Sequence, residues 1–112
     1  MLLVRRGREP YKHYWSLPGG KMGSREPIRD TVRREVREET GFDVVIGRVA
    51  GIHDEMQTDP RYLIIAFHAT IVGGTMRAGD DAAACEWVDL KDLADRRTTP
   101  GLLDVLRDAD VL

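Results

Sequence analysis

Glu35, Glu38 and Glu39 stand at positions i, i+3 and i+4, so a helix through them carries three carboxylates on one face within about one turn. Like charges at that spacing repel, costing an isolated helix roughly 0.2–0.5 kcal/mol per pair, and more where water is scarce. Something of opposite charge should compensate. A cluster of oxygen ligands partly withdrawn from water is what a hard divalent cation requires, and Mg²⁺ commonly joins one or two carboxylates to the phosphate oxygens of a substrate. A solvated charged face is the alternative for the three acids taken alone. A nitrogen and sulfur site for zinc is not expected, because His13, His53 and His68 have no ligand spacing with one another or with Cys85.

These carboxylates need a helix to hold them, and residues 26–40 are the best helix in the sequence. The stretch has no Gly and a single Pro, Pro27, near its start, where proline is tolerated. Ser24 or Glu26 offers a cap, Asp30 complements the dipole, and Gly41 supplies a left-handed exit. At about 100° per residue, Ile28, Val32 and Val36 define the buried stripe. Glu39 falls inside its edge, Glu35 just beside it and Glu38 further round. Arg29, Arg33 and Arg37 form a solvated basic stripe near the far side, while Arg34 can pair with Asp30 or orient a neighbouring glutamate.

Around this helix, Leu2 to Arg6 is apolar enough for a strand and residues 7–14 form a polar, turn-rich loop. Val44 to Ile52 and Tyr62 to Val72 are rich in β-branched and aromatic residues and read as strands around a long loop, His53 to Arg61. Gly73-Gly74 is expected to turn the chain, Thr75 to Arg77 to form a short strand, and Cys85 to Val88 another. Leu90 to Arg96 reads as a short helix. Thr99-Pro100 should cap a last one, with Leu102, Leu103, Val105, Leu106 and Ala109 facing the core.

The 112 residues suffice for one small domain with one core, so residues 1–112 are taken as a single α/β domain. The formal charge of -2 gives no basic surface for long nucleic acid. No apolar run is long enough to span a membrane, and the opening Met-Leu-Leu-Val-Arg-Arg is too short for a signal peptide. A cytoplasmic location is therefore expected. The single Cys85 cannot form an internal disulfide and reads as a packing residue, not an activated thiol.

The run from Gly20 to Phe42, GKMGSREPIRDTVRREVREETGF, resembles the Nudix box, G-x5-E-x7-R-E-U-x-E-E-x-G-U, with U a bulky aliphatic or aromatic residue. Gly20, Glu26, Arg34, Glu35, Val36, Glu38, Glu39, Gly41 and Phe42 fill every defined position. The flanking Leu2-Leu3-Val4-Arg5-Arg6 and Trp15-Ser-Leu-Pro-Gly-Gly are also similar to that family. The resemblance implies a Nudix-like α/β/α sandwich with a mixed β-sheet. It implies that Glu35, Glu38 and Glu39 bind Mg²⁺ or Mn²⁺, that Glu26 is a further or supporting ligand, and that Arg34 orients a glutamate. Gly20 and Gly41 would shape the loops, with Gly20 also lining the substrate site, and Val36 and Phe42 would pack. The implied reaction is substitution by water at a phosphorus of a nucleoside diphosphate linked to another moiety. Family members often place an acid in a loop before a late tryptophan. Asp81, six residues before Trp87, is the first choice over Asp80 and Glu86, as metal ligand or general base. Arg5 or Arg6 would reach phosphate from the first strand, and only one of the two can face the site.

Two departures stand out. Arg25 occupies the place before the first box glutamate where the family commonly has Gly. The family also usually has a strand ahead of the one at Leu2 to Arg6, and this sequence apparently lacks it. An open strand edge invites pairing with another chain, so either a dimer supplies the missing strand or the start of the protein is absent from this sequence, and a swapped or β-paired homodimer is expected. Substrate choice lies outside the box. Asp59-Pro60-Arg61-Tyr62 and the Gly-Asp-Asp-Ala-Ala-Ala run look like ADP-ribose pyrophosphatases, which ranks ADP-ribose or a nucleotide sugar first. A (d)NTP-sanitising pyrophosphohydrolase ranks next, and a catalytically silent domain that binds a nucleotide or a protein is the alternative of another class.

Overall fold

The computed structural model describes residues 1–21 and 25–112. In chain order the elements are β1 (Leu2–Arg6), β2 (Trp15–Ser16), α1 (Ile28–Thr40), β3 (Phe42–Glu55), β4 (Tyr62–Gly74), β5 (Ala82–Trp87), a 3-10 helix (Leu90–Asp95) and α2 (Leu102–Asp108). β1 lies between β2 and β5 and pairs antiparallel with both, Val4 standing opposite Ser16 on one side and Cys85 on the other. β3 and β4 form a long antiparallel hairpin from Phe42 opposite Gly74 to Glu55 opposite Tyr62. Its register shifts between Ile46 and Gly51, where Gly47 and Gly51 interrupt the β-branched run and allow the bulges.

The expected mixed sheet is corrected. Among the described residues the strands form two sheets, β2-β1-β5 and β3-β4, with every strand pair antiparallel. A parallel contact appears as the isolated bridge between Trp15 and Thr98. The loop between β3 and β4 is short, and a short connection permits only antiparallel pairing. It is also shorter than expected, because β3 runs on through His53 to Glu55. β4 extends through Gly73 to Gly74, and residues 75–77, expected as a strand, are irregular.

α1 begins two residues later than the sequence suggests. Pro27, at φ -57 and ψ 144, stays outside the helix while its carbonyl accepts from the N–H groups of Asp30 and Thr31, each at 3.0 Å. Ser24, one of the two proposed caps, lies outside the described residues. Glu26 caps no backbone N–H and instead accepts from Thr31 Oγ1 at 3.1 Å and from Arg34. Gly41 does end the helix at φ 79, its N–H donating to the Arg37 carbonyl at 2.9 Å. Any side chain there would meet left-handed strain and collide with the Thr75 carbonyl.

The buried stripe of α1 is rotated from the expected one: Val36 is buried, Ile28 and Val32 are half-buried, and Thr31 and Thr40 are the other buried positions. Threonine tolerates this because its hydroxyl finds a local partner; Thr40 Oγ1 donates to the Val36 carbonyl at 2.7 Å. The central core joins Leu3 of β1, Val88 and Leu93 to Leu102, Val105 and Leu106 of α2. Each fully buried side chain of this size contributes on the order of 1.5–3 kcal/mol. Gly101, at φ 88, precedes α2 in place of the expected Thr-Pro cap, although Leu102 N–H still reaches the Thr99 carbonyl at 3.2 Å. No helix among the described residues is long and apolar enough to cross a membrane.

Candidate active site on the carboxylate helix

The Pro-Gly-Gly loop after β2 is pressed against the last turns of α1. Gly19 N–H donates to Glu39 Oε2 at 2.9 Å. A Cβ at Gly20 would lie 2.8 Å from Glu35 Cδ, closer than real side chains pack. A side chain at position 20 would therefore displace the Glu35 carboxylate from where it lies. Glu39 is half-buried, Glu35 likewise, and Glu38 is exposed, the order given by the helical projection. Burial raises the Glu39 carboxyl to about 7; the Gly19 N–H opposes this, and the charges of Glu35 and Asp81 add to it.

Arg34 is the local counter-charge. Its Nη2 lies 2.9 Å from Glu26 Oε1, and its Nη1 lies 3.1 Å from Glu35 Oε1 and 3.2 Å from Glu38 Oε2. The same hydrogen bond to Arg34 holds the Glu26 carboxyl below its ordinary value. Asp30, the partner considered from sequence, pairs with Arg33 at 3.6 Å instead. The expected solvated arginine stripe is exposed, but Arg29 also reaches the carbonyls of Ile46 and Gly47, and Arg37 pairs with Asp43 at 3.2 Å.

The two candidate arginines of β1 diverge. Arg6 lies near enough to Glu39 for its charge to favour the ionised carboxylate, and its Nε donates to the Pro10 carbonyl at 2.7 Å. Arg5 packs its guanidinium 6.0 Å over Trp15, with Nε buried and without a hydrogen-bond partner among the described residues. Asp81 sits in the turn before β5, where its carbonyl accepts from Gly7 N–H at 2.7 Å and its carboxylate pairs with Arg8. Glu86 is occupied by Arg96 on β5.

Two arrangements escape a reading of the sequence. Residues 75–79 clasp the end of α1: Arg77 N–H donates to the Thr40 carbonyl at 2.8 Å and Gly79 N–H to the Glu39 carbonyl at 3.2 Å. Cys85 Sγ lies 3.1 Å from that same Glu39 carbonyl, and burial pushes its thiol pKa up, away from an activated thiolate. Elsewhere, His53, Glu55 and Asp104 bring ligand atoms within 4.8 Å of one another. No spacing rule finds Asp104, since it comes from α2 whereas the other two alternate along β3.

The chain is similar to known proteins over most of its length. Over 95 residues the chain is 36% identical to an ADP-ribose pyrophosphatase of Methanocaldococcus jannaschii, an alignment covering 83% of this chain and 56% of the relative. The chain therefore matches little more than half of that protein. It is 33% identical over 99 residues to a putative 8-oxo-dGTP diphosphatase 2 of Mycobacterium tuberculosis, covering 85% of this chain and 68% of the relative. The crystal structure of a MutT protein from Methanosarcina mazei superposes with a TM-score of 0.81 at 30% identity, covering 97% of this chain and 81% of that one. The NUDIX domain model matches residues 1–109, and with the complete box on α1 the chain belongs to the Nudix family.

Proposed function

We propose that residues 1–112 act as one catalytic domain that hydrolyses a diphosphate linkage in a nucleoside diphosphate derivative, with ADP-ribose or a nucleotide sugar preferred. The observation that carries this reading is the apposition of Gly19 and Gly20 to Glu39 and Glu35. A loop in which Gly20 is exposed meets the carboxylates of the helix there, which brings backbone and acidic oxygens together where phosphate and a divalent cation would both bind. The donor set suits Mg²⁺, or Mn²⁺ in its place. It is all oxygen, and it includes a glutamate whose charge is disfavoured by burial. Glu35, Glu38 and Glu39 would hold the ion, with Glu26 supporting. Such an ion neutralises phosphate charge, aligns the leaving oxygen and lowers the pKa of the attacking water.

The remaining work falls to the chain's own groups. Arg34 fixes the rotamers of Glu35 and Glu38, and Gly19 N–H fixes that of Glu39. Arg6, not Arg5, contacts phosphate, because Arg5 is committed to Trp15. Gly20 lines the substrate site with its backbone, and Asp81 accepts the proton of the attacking water once it leaves Arg8. We read the assembly as a homodimer in the cytoplasm. β5 is an edge of the three-stranded sheet, and a strand from a second copy would cover it.

The test is a screen of purified protein with Mg²⁺ against ADP-ribose, nucleotide sugars, dinucleoside polyphosphates and canonical and oxidised dNTPs. Release of AMP and ribose 5-phosphate from ADP-ribose is expected. The similarity to an 8-oxo-dGTP diphosphatase supports a second reading, which conversion of dNTP to dNMP and pyrophosphate would establish instead. Inactivity on all of them, with Mn²⁺ also tried, would leave a binding-only domain, against which the intact carboxylate cluster argues.

A further inference from the structure

We infer that His53, Glu55 and Asp104 form a second metal site, separate from the carboxylate helix and selective for a borderline divalent transition ion such as Zn²⁺. His53 and Glu55 alternate along β3 and so share one face of the strand. Asp104 joins them from the first turn of α2. His53 Nε2 lies 3.2 Å from Glu55 Oε2 and 3.6 Å from Asp104 Oδ2.

Hydrogen bonding within the cluster leaves it incomplete. One imidazole nitrogen carries at most one proton. Glu55 stands within reach of it, whereas 3.6 Å to Asp104 is too long for a hydrogen bond. Two carboxylates therefore converge on a single donor. Glu55 is 4% exposed, and among the described residues neither arginine nor lysine pairs with it. Its Oε1 accepts from Gln57 N–H at 3.0 Å, which aims Oε2 at His53. Asp104 has one further partner, Arg107 at 3.5 Å on its other oxygen.

The two separations from His53 suit an ion, and the third ligand pair lies within 4.8 Å. Ligand atoms about 2.0–2.1 Å from a tetrahedral Zn²⁺ lie roughly 3.3 Å apart, between the two distances measured from His53. A Cβ at Gly101 would stand 3.0 Å from Glu55 Oε2 and 3.1 Å from His53 Cδ2. Glycine there keeps the wall of the cluster clear of a side chain. One imidazole and two carboxylates favour Zn²⁺, Co²⁺ or Ni²⁺ over Mg²⁺, which rarely takes nitrogen. Three protein ligands leave a fourth position for water or an incoming oxygen donor.

The experiment titrates the full chain with Zn²⁺ by calorimetry in saturating Mg²⁺, and follows the imidazole ¹⁵N resonances on the wild type. One Zn²⁺ per chain is expected, with shifts confined to His53 and absent from His13 and His68. His53→Ala and Asp104→Asn should each weaken binding at least tenfold, while Glu38→Gln leaves it unchanged. The wild-type ¹⁵N shifts keep the test decisive if a variant fails to fold. No Zn²⁺ uptake, uptake without movement of the His53 resonances, or uptake lost in Glu38→Gln would overturn the inference. None of these results depends on hydrolysis, so the site stands or falls apart from the proposed activity.

Discussion

Replacing Glu39 with Gln should stabilise the metal-free protein at alkaline pH while destroying hydrolysis. Burial pushes the carboxyl up to about 7 in the fold, against its ordinary value of 4.5. Between those values the folded state holds a proton that the unfolded state has released, so stability falls as pH rises through this window. Below it both states are protonated and the penalty vanishes; above it the penalty is complete. A shift of that size corresponds to about 3 kcal/mol, or roughly 13 °C of melting temperature for a chain of this length. Glutamine keeps an oxygen for Gly19 N–H and removes the charge. Urea unfolding of both proteins in chelator at pH 4 and pH 8 gives the result directly. The advantage of the variant should be near zero at the lower pH and grow by up to about 3 kcal/mol at the higher, and saturating Mg²⁺ should narrow it. A difference that stays constant across this range would refute the reasoning that burial sets the Glu39 carboxyl.

Gly20→Ala places a Cβ against Glu35 and should lower turnover at least tenfold with little change in unfolding midpoint. Steady-state rates beside a urea curve check both. Glu38→Gln, at an exposed position, should abolish metal-dependent turnover and leave stability within about 0.5 kcal/mol; wild-type activity in this variant would remove Glu38 from the site. Asp81→Asn keeps the backbone bond from Gly7 and should slow turnover at least tenfold, whereas an unchanged rate would remove Asp81 as the base. Leu93→Ala, in the middle of the core, should cost about 2–5 kcal/mol, read by the same denaturation assay.

Local features were legible because local physics decides them. The projection of α1 places Glu39 deepest of the three acids, and the left-handed exit needs only Gly41. That Arg34 reaches the neighbouring Glu35 and Glu38 was legible from helical spacing; its pairing with Glu26, which folds back from before the helix in place of Asp30, was not. Thr31 and Thr40 look like surface residues until a hydroxyl partner is found for each. The division into two sheets, the packing of Arg5 on Trp15 and the approach of Asp104 to β3 depend on contacts between distant segments. Periodicity and spacing carry no record of these.

The clasp of residues 75–79 on the end of α1 constrains how the protein can diverge. Helix ends ordinarily fray, but here the carbonyls of Glu39 and Thr40 are tied to backbone N–H groups of the β4–β5 connection. An insertion in that connection would slacken the turn bearing Glu39. Residues 56–61, between β3 and β4, carry no such tie to the helix among the described residues, so loop length can change there without passing through α1.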